Sequence, residues 1–169
     1  TATTLRFRIP LDALRSGASV VTPSVYALYD PRSAPPELVE RMRAACAAGG
    51  TSLFASGIDP GWGNDLLPAL AAKLCARVDS VRAQEIFDYS TYNQPFAVKV
   101  SCGFGASMAE TPMMLLPSIP TMVWGGNVRL IGRGLGIEID EITEEVERLP
   151  LEATVDTVMT FVDAVKTDG

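Results

Sequence analysis

The sequence predicts an α/β chain: a parallel β-α-β unit, followed by an α+β portion with an open mixed or antiparallel sheet. Three observations carry that expectation. Residues 18–22 (Ala-Ser-Val-Val-Thr) and 51–55 (Thr-Ser-Leu-Phe-Ala) are short, mostly apolar runs of the kind found in buried parallel strands. Between them, Leu38, Met42 and Ala45 recur at helical spacing, which makes the connection a right-handed crossover. Beyond residue 79 the period falls to two. Val81, Ala83, Glu85 and Phe87 alternate with Ser80, Arg82, Gln84 and Ile86, and Phe96, Val98, Val100 and Cys102 alternate with Ala97, Lys99 and Ser101.

The elements follow in order. Residues 10–15 read as the last turn of a helix closed by Gly17. The prolines between 31 and 36 mark a turn, and Pro35 and Pro36 suit the first turn of a helix over 37–48, which Gly49 and Gly50 end. After the strand at 51–55, Asp65 is the expected N-cap of a helix over 66–78, because Pro68 then falls where a missing N–H costs little. Leu67, Leu70, Ala71 and Leu74 give that helix a core-facing stripe. Residues 88–95 form a long loop, and residues 111–120 are rich in Pro and Met. A helix over 122–134 is expected to be interrupted at Gly125–Gly126, a polar helix over 140–148 to be capped by Asp140, and 155–165 to form a strand. The domain change is placed near residue 57, giving 1–57 and 58–169.

At 169 residues the chain suffices for one ordinary domain or two small ones. A net charge of −6 argues against a nucleic-acid or anionic-membrane partner, both of which want a basic face. No run of about 18 apolar residues is present, so no membrane span is expected. Residues 1–8 lack the order of a secretory signal, which makes a cytoplasmic location the expectation. Cys46, Cys75 and Cys102 are widely spaced and fit reduced, buried thiols better than a disulfide frame or a metal site; no metal is expected. The chain has no histidine, which removes Ser-His-Asp and Cys-His arrangements from within it. Proton transfer then falls to Asp, Glu, Lys, Tyr, Cys, water or a group outside the chain.

The densest signal is residues 56–65, Ser-Gly-Ile-Asp-Pro-Gly-Trp-Gly-Asn-Asp, set between a strand and a helix. Glycines there permit close backbone approach, and the helix N-terminus aims N–H groups outward. That is the recipe for a ligand-facing loop at the carboxyl end of a strand. Gly61→Val is accordingly expected to abolish turnover with little loss of global stability.

Three segments together resemble one family: Ser56 to Pro68 (S-G-I-D-P-G-W-G-N-D-L-L-P), Val78 to Tyr92 (V-D-S-V-R-A-Q-E-I-F-D-Y-S-T-Y) and Gly103-Phe104-Gly105. The chain is similar, from about Gly17 to about Arg148, to the dihydrodipicolinate reductase-like family, in the branch of 2,4-diaminopentanoate dehydrogenase and the native amine dehydrogenases. The resemblance implies that residues 1–57 are the later part of a Rossmann-type parallel sheet and that 58–169 belong to a substrate-binding and dimerisation α+β domain. It implies NADP or NAD as cofactor, hydride transfer between nicotinamide and a C=N carbon, a homodimer, and a small amine, imine or amino-acid-like substrate. Two departures stand out. No Gly-rich phosphate turn opens the chain, so the phosphate-binding half is expected to be missing or to lie elsewhere. Thr4-Leu5-Arg6 stands where relatives place an acidic catalytic residue.

On this reading Thr22, Pro23, Ser56, Gly57, Ile58, Pro60 and Gly61 border the cofactor. Trp62, Asn64, Tyr89, Tyr92 and Asn93 contact the substrate, although Trp62 could equally be a core residue and the tyrosines ordinary packing. Asp59 either steadies a substrate ammonium or hydrogen-bonds its own turn; Glu85, if buried, is either a proton carrier or an ion-pair partner. These two are the candidate catalytic residues. Alternatives are a saccharopine-dehydrogenase-like reductase and a non-catalytic oligomerisation and substrate-shaping module.

Overall fold

The computed structural model describes residues 2–150, with side chains from residue 7 onward; the strand expected at 155–165 lies outside the described residues. Helix α1 (Ala2–Arg15) ends in the last turn expected at 10–15 and carries Pro10 within it. It stops at Gly17 as anticipated, in the left-handed region at φ 94°. Strand β1 (Val20–Thr22) leads, through a proline-rich turn, into α2 (Pro36–Gly49), and Gly50 closes α2 at φ 63° with its N–H donated to Cys46 O. Strand β2 (Leu53–Ala55) lies parallel to β1, with Val20 opposite Leu53 and Thr22 opposite Ala55. The expected β-α-β unit is therefore present, and this two-stranded parallel sheet is compatible with part of a Rossmann-like segment.

The core sits between α1, α2 and one face of that sheet. Leu11 and Leu14 of α1 meet Met42 and Ala45 of α2, with Val25 and Leu28 closing one side. Thr51 Oγ1 donates to Leu14 O at 3.0 Å, pinning the end of α1 to the start of β2. Among the described residues only one face of the sheet is covered, which departs from the expectation of fully buried strands. Val21 and Phe54, opposite each other in the register, are 75% and 62% exposed.

Helix α3 (Leu66–Ala72) is shorter than the 66–78 expected, and its leucines do not face a core: Leu66, Leu67 and Leu70 are all exposed, as is Leu74 beyond its end. Helices this short depend on packing of an apolar face, and without that packing the helix ends at Lys73. Asp65 is the N-cap, as the sequence indicates, and accepts from Leu66 N–H. Asp65→Ala is expected to cost about 1 kcal/mol, measurable as a lower urea midpoint with unchanged slope.

Helix α4 (Ile119–Leu135) runs unbroken through Gly125–Gly126, where an interruption was expected. The glycines serve contact instead. A Cβ at Gly126 would lie 3.5 Å from Asp30 Cβ and Tyr29 Cβ, so the helix rests directly on that turn. Across the same contact Arg133 of α4 donates to Asp30, whose side chain is 2% exposed.

The chain divides into two compact units, Thr1–Gln84 with Thr121–Ile142 and Glu85–Pro120 with Thr143–Gly169. In the second unit the two alternating segments do not form the open sheet expected. The part of the first that lies there, from Glu85 on, is irregular up to a short 3-10 turn at Tyr89–Thr91, and Phe96–Ser101 is a wide helical turn. Its backbone bonds close locally, Cys102 N–H donating to Ala97 O at 3.0 Å, and only Val98 of the expected apolar face is buried. A strand is stable only with neighbours to pair with, and no strand partner is present among the described residues of this unit. Residues 140–148 likewise form no helix. Glu144 accepts from Ser118 N–H at 2.9 Å, and Arg148 donates to the carbonyls of Gly103, Ala106, Ser107 and Glu110, so these side chains bind loops instead of lining a helix face.

No helix among the described residues is long and apolar enough to cross a membrane. The thiols are free but not the buried set expected: Cys75 is exposed, and Cys46 and Cys102 are half-buried.

Candidate functional site

The carboxyl ends of β1 and β2 lie side by side, and Ser56 N–H donates to Thr22 O at 3.1 Å to continue their pairing. The turn that leaves β2 is closed by its own backbone. Trp62 N–H donates to Gly57 O at 2.8 Å, Gly63 N–H to Ile58 O at 2.9 Å, and Asp65 N–H to Gly61 O at 2.8 Å. The Asp59–Pro60 peptide is cis. Gly61 has φ 138°, and a Cβ there would fall 2.5 Å from the nitrogen of Gly57. This corrects the expectation for Gly61→Val: the missing side chain makes room for the turn itself, so the substitution damages folding as well as any ligand contact. Gly57 is similarly hemmed in, its Cβ position 3.0 Å from the Tyr29 hydroxyl and 3.4 Å from Pro23 Cβ.

Tyr29, which sequence reasoning passed over, anchors the turn after β1 beside Gly57. Its hydroxyl donates to Pro23 O at 3.1 Å and its ring is buried. Burial, and then the neighbouring Tyr26, Asp65 and Asp59, push the phenol above its ordinary value, so it stays a protonated donor. Burial likewise pushes Asp65 up, opposed by the N–H of Leu66.

Asp59 is held by two donors. Trp124 Nε1 donates to its Oδ1 at 2.7 Å, and Asn64 Nδ2 donates to the same oxygen. A carboxylate held this way fixes the turn to α4. The signal for Trp124 was available in the sequence, since a half-buried indole N–H needs an acceptor, but the adjacent glycines drew the reading towards a broken helix. Trp124→Phe removes the donor and keeps most of the ring. It is expected to lose about 1.5–3 kcal/mol, the range for a hydrogen bond to a charged group, as measured by equilibrium denaturation.

Of the remaining expected residues in this unit, Trp62 is 46% exposed and Pro60 and Gly61 are buried. A cavity of about 530 Å³ is lined by Asn64, Trp124, Asn127 and the apolar side of α4, and a second by Gly63, Leu67 and residues 77–84. Thr22, Pro23 and Ser56–Trp62 line neither of these two cavities.

Tyr89, Tyr92, Asn93 and Glu85 belong to the second unit. There Tyr89 and Tyr92 form an aromatic group with Phe87 and Phe104, with ring centroids 4.6–5.8 Å apart. Asn93 and Glu85 are exposed. Burial raises the Cys102 thiol, countered in part by a hydrogen bond with Tyr89. Bonds from the Ser90 hydroxyl and N–H lower Asp88. Among the described residues no group of three His, Cys, Asp or Glu could hold a metal ion.

The chain is similar to an amine dehydrogenase. That protein, from Streptomyces virginiae, is 57% identical over 145 residues, which make up 86% of this chain and 40% of the relative. The chain thus spans well under two thirds of the relative's length. No family model matches the chain, and no solved structure matches it significantly. The similarity supports an amine dehydrogenase-like family.

Proposed function

We propose that the chain forms part of an NAD(P)-dependent oxidoreductase that moves a hydride between nicotinamide and the C=N carbon derived from a small amine, within the dihydrodipicolinate reductase-like grouping. One observation carries the reading: the 57% identity to an amine dehydrogenase runs over 145 residues of this chain. The placement of the 56–65 turn at the carboxyl ends of two parallel strands supports it, because ligands of open α/β sheets collect there. On this reading the chain meets the cofactor at its nicotinamide end. Thr22, Pro23 and the backbone of Ser56–Gly61 would border the ring, while no Gly-x-Gly-x-x-Gly sequence is present to hold the pyrophosphate.

When bound, the cofactor supplies or accepts the hydride. The protein's share is orientation. Tyr29 and Pro23 set the end of β1, and Asp59, clamped by Trp124 and Asn64, sets the turn. Asp59 is therefore a positioning carboxylate in this proposal, and Trp62 supplies an exposed apolar surface beside it.

A second reading, a non-catalytic oligomerisation module, is favoured by the exposed leucine stripe of α3. Titration calorimetry of the purified chain with NADH and NADPH separates the two. Saturable heat with either nucleotide is the expected result. Flat traces with both, together with concentration-dependent self-association, would replace the redox reading with the second.

A further inference from the structure

We propose that Phe87, Tyr89 and Tyr92, in the second unit, form a partly open aromatic corner that binds a small organic cation bearing an alkylated ammonium group. The ring centroids are 4.6 Å apart for Phe87 and Tyr89, 5.5 Å for Phe87 and Tyr92, and 5.8 Å for Tyr89 and Tyr92. The matching planes are inclined by 54°, 82° and 69°, so no two of the three rings are stacked. Stacked rings hide their faces in one another, whereas steeply inclined rings stand as walls. With centroids this close, one ion can stand within about 6 Å of all three, the range over which ring quadrupoles attract a cation. The group is also reachable. Phe87 is 50% and Tyr92 39% exposed, and Tyr89 is half-buried.

Charge selects the guest. Residues 83–98 contain Glu85 and Asp88 and no lysine or arginine. Asp88 lies between Phe87 and Tyr89 in the chain, and the bonds from Ser90 that lower its carboxyl keep it ionised at neutral pH. Arg148, which reaches Gly103 O next to Phe104, is committed to loop carbonyls. The corner is held in place as well: Tyr89 packs on Phe104 at 5.4 Å and shares a hydrogen bond with the Cys102 thiol. Apolar surface that stays exposed within a polar rim marks an interaction site, and an acidic rim around ring faces favours a cation over a neutral or anionic guest. The inference does not rest on the redox reading, because its test reads ligand binding in this unit alone.

The test is titration of the purified chain with choline and with its uncharged isostere 3,3-dimethylbutan-1-ol, followed by calorimetry and by the ¹³C ring resonances of Tyr89 and Tyr92. Saturable shifts of both rings with choline, and affinity for the alcohol weaker by about tenfold or more, are expected. Tyr92→Leu should bind choline about fivefold more weakly or worse, while Tyr92→Phe, which keeps the ring, should stay within about twofold of the parent. No saturable binding of choline overturns the proposal, as does binding that leaves these rings unshifted. Alcohol bound as tightly as choline would show a plain apolar patch, and Tyr92→Leu binding as well as the parent would place the site elsewhere; either result also overturns it. The comparison of choline with the alcohol needs no variant and decides the matter even if Tyr92→Leu fails to fold.

Discussion

Arg133→Met should destabilise the chain by about 3–5 kcal/mol, the usual consequence of leaving a buried charge without its partner. Asp30 is 2% exposed and Arg133 only 31%, so solvent screening does little to soften the loss. Burial alone would raise the Asp30 carboxyl. Hydrogen bonds from Ser33 and Arg133, the Arg133 charge and the Arg32 N–H reverse that and hold it below the ordinary value. A carboxyl depressed in the folded state contributes stability above its unfolded pKa of about 3.9 and loses it as pH falls through the lower folded value. The parent protein should therefore weaken only below about pH 4. In Arg133→Met the lowering contributions of the arginine are gone while the desolvation remains, so the penalty of the substitution should shrink as the solution is acidified through that range. Urea denaturation at neutral pH and near pH 4 reads both effects. Asp30→Asn in the same background should restore part of the loss.

Gly61→Val is the second large effect. The residue sits at φ 138°, which side-chain-bearing residues avoid, and its Cβ position collides with the Gly57 backbone. Strain of about 1–3 kcal/mol for the dihedral, with about 1–3 kcal/mol more for the overlap, gives an expected loss of about 2–6 kcal/mol. Cofactor binding would be lost with the turn, so the informative readout is stability. A variant with an unchanged denaturation midpoint would show that the turn does not close on Gly57 as described. Gly63 gives a contrast within the same loop. Its φ is not in the positive region, and its Cβ position lies 3.1 Å from Ile58 O, so Gly63→Ala should be milder.

The first half of the fold was legible because its signals are local. Gly17 and Gly50 end helices through backbone conformation, Pro36 starts one through its fixed φ, and the apolar runs at β1 and β2 have a single short crossover between them. The second half depended on partners. The alternation around Val98 and the leucine stripe of α3 each specify a surface that must be buried against something, and pattern alone cannot supply the neighbour. Where the neighbour is lacking among the described residues, Phe96–Ser101 closes into local hydrogen bonds and α3 stops after two turns. The candidate site divides the same way. The 56–65 turn and the Asp65 cap could be read directly. The contacts that hold the turn, Tyr29 to Pro23 and Trp124 to Asp59, join residues 6 and 65 positions apart, and the longer of them crosses from α4, whose glycines read as a break.

The most direct test of the account follows the backbone amides of Gly57, Ile58 and Gly61 in the ¹⁵N-labelled chain as NADH or NADPH is added. Saturable shifts at these amides, larger than those elsewhere in Thr1–Gln84, are the predicted result. Resonances that stay put at nucleotide concentrations that saturate binding elsewhere, or that give no response to either nucleotide, would contradict a turn built to border the nicotinamide.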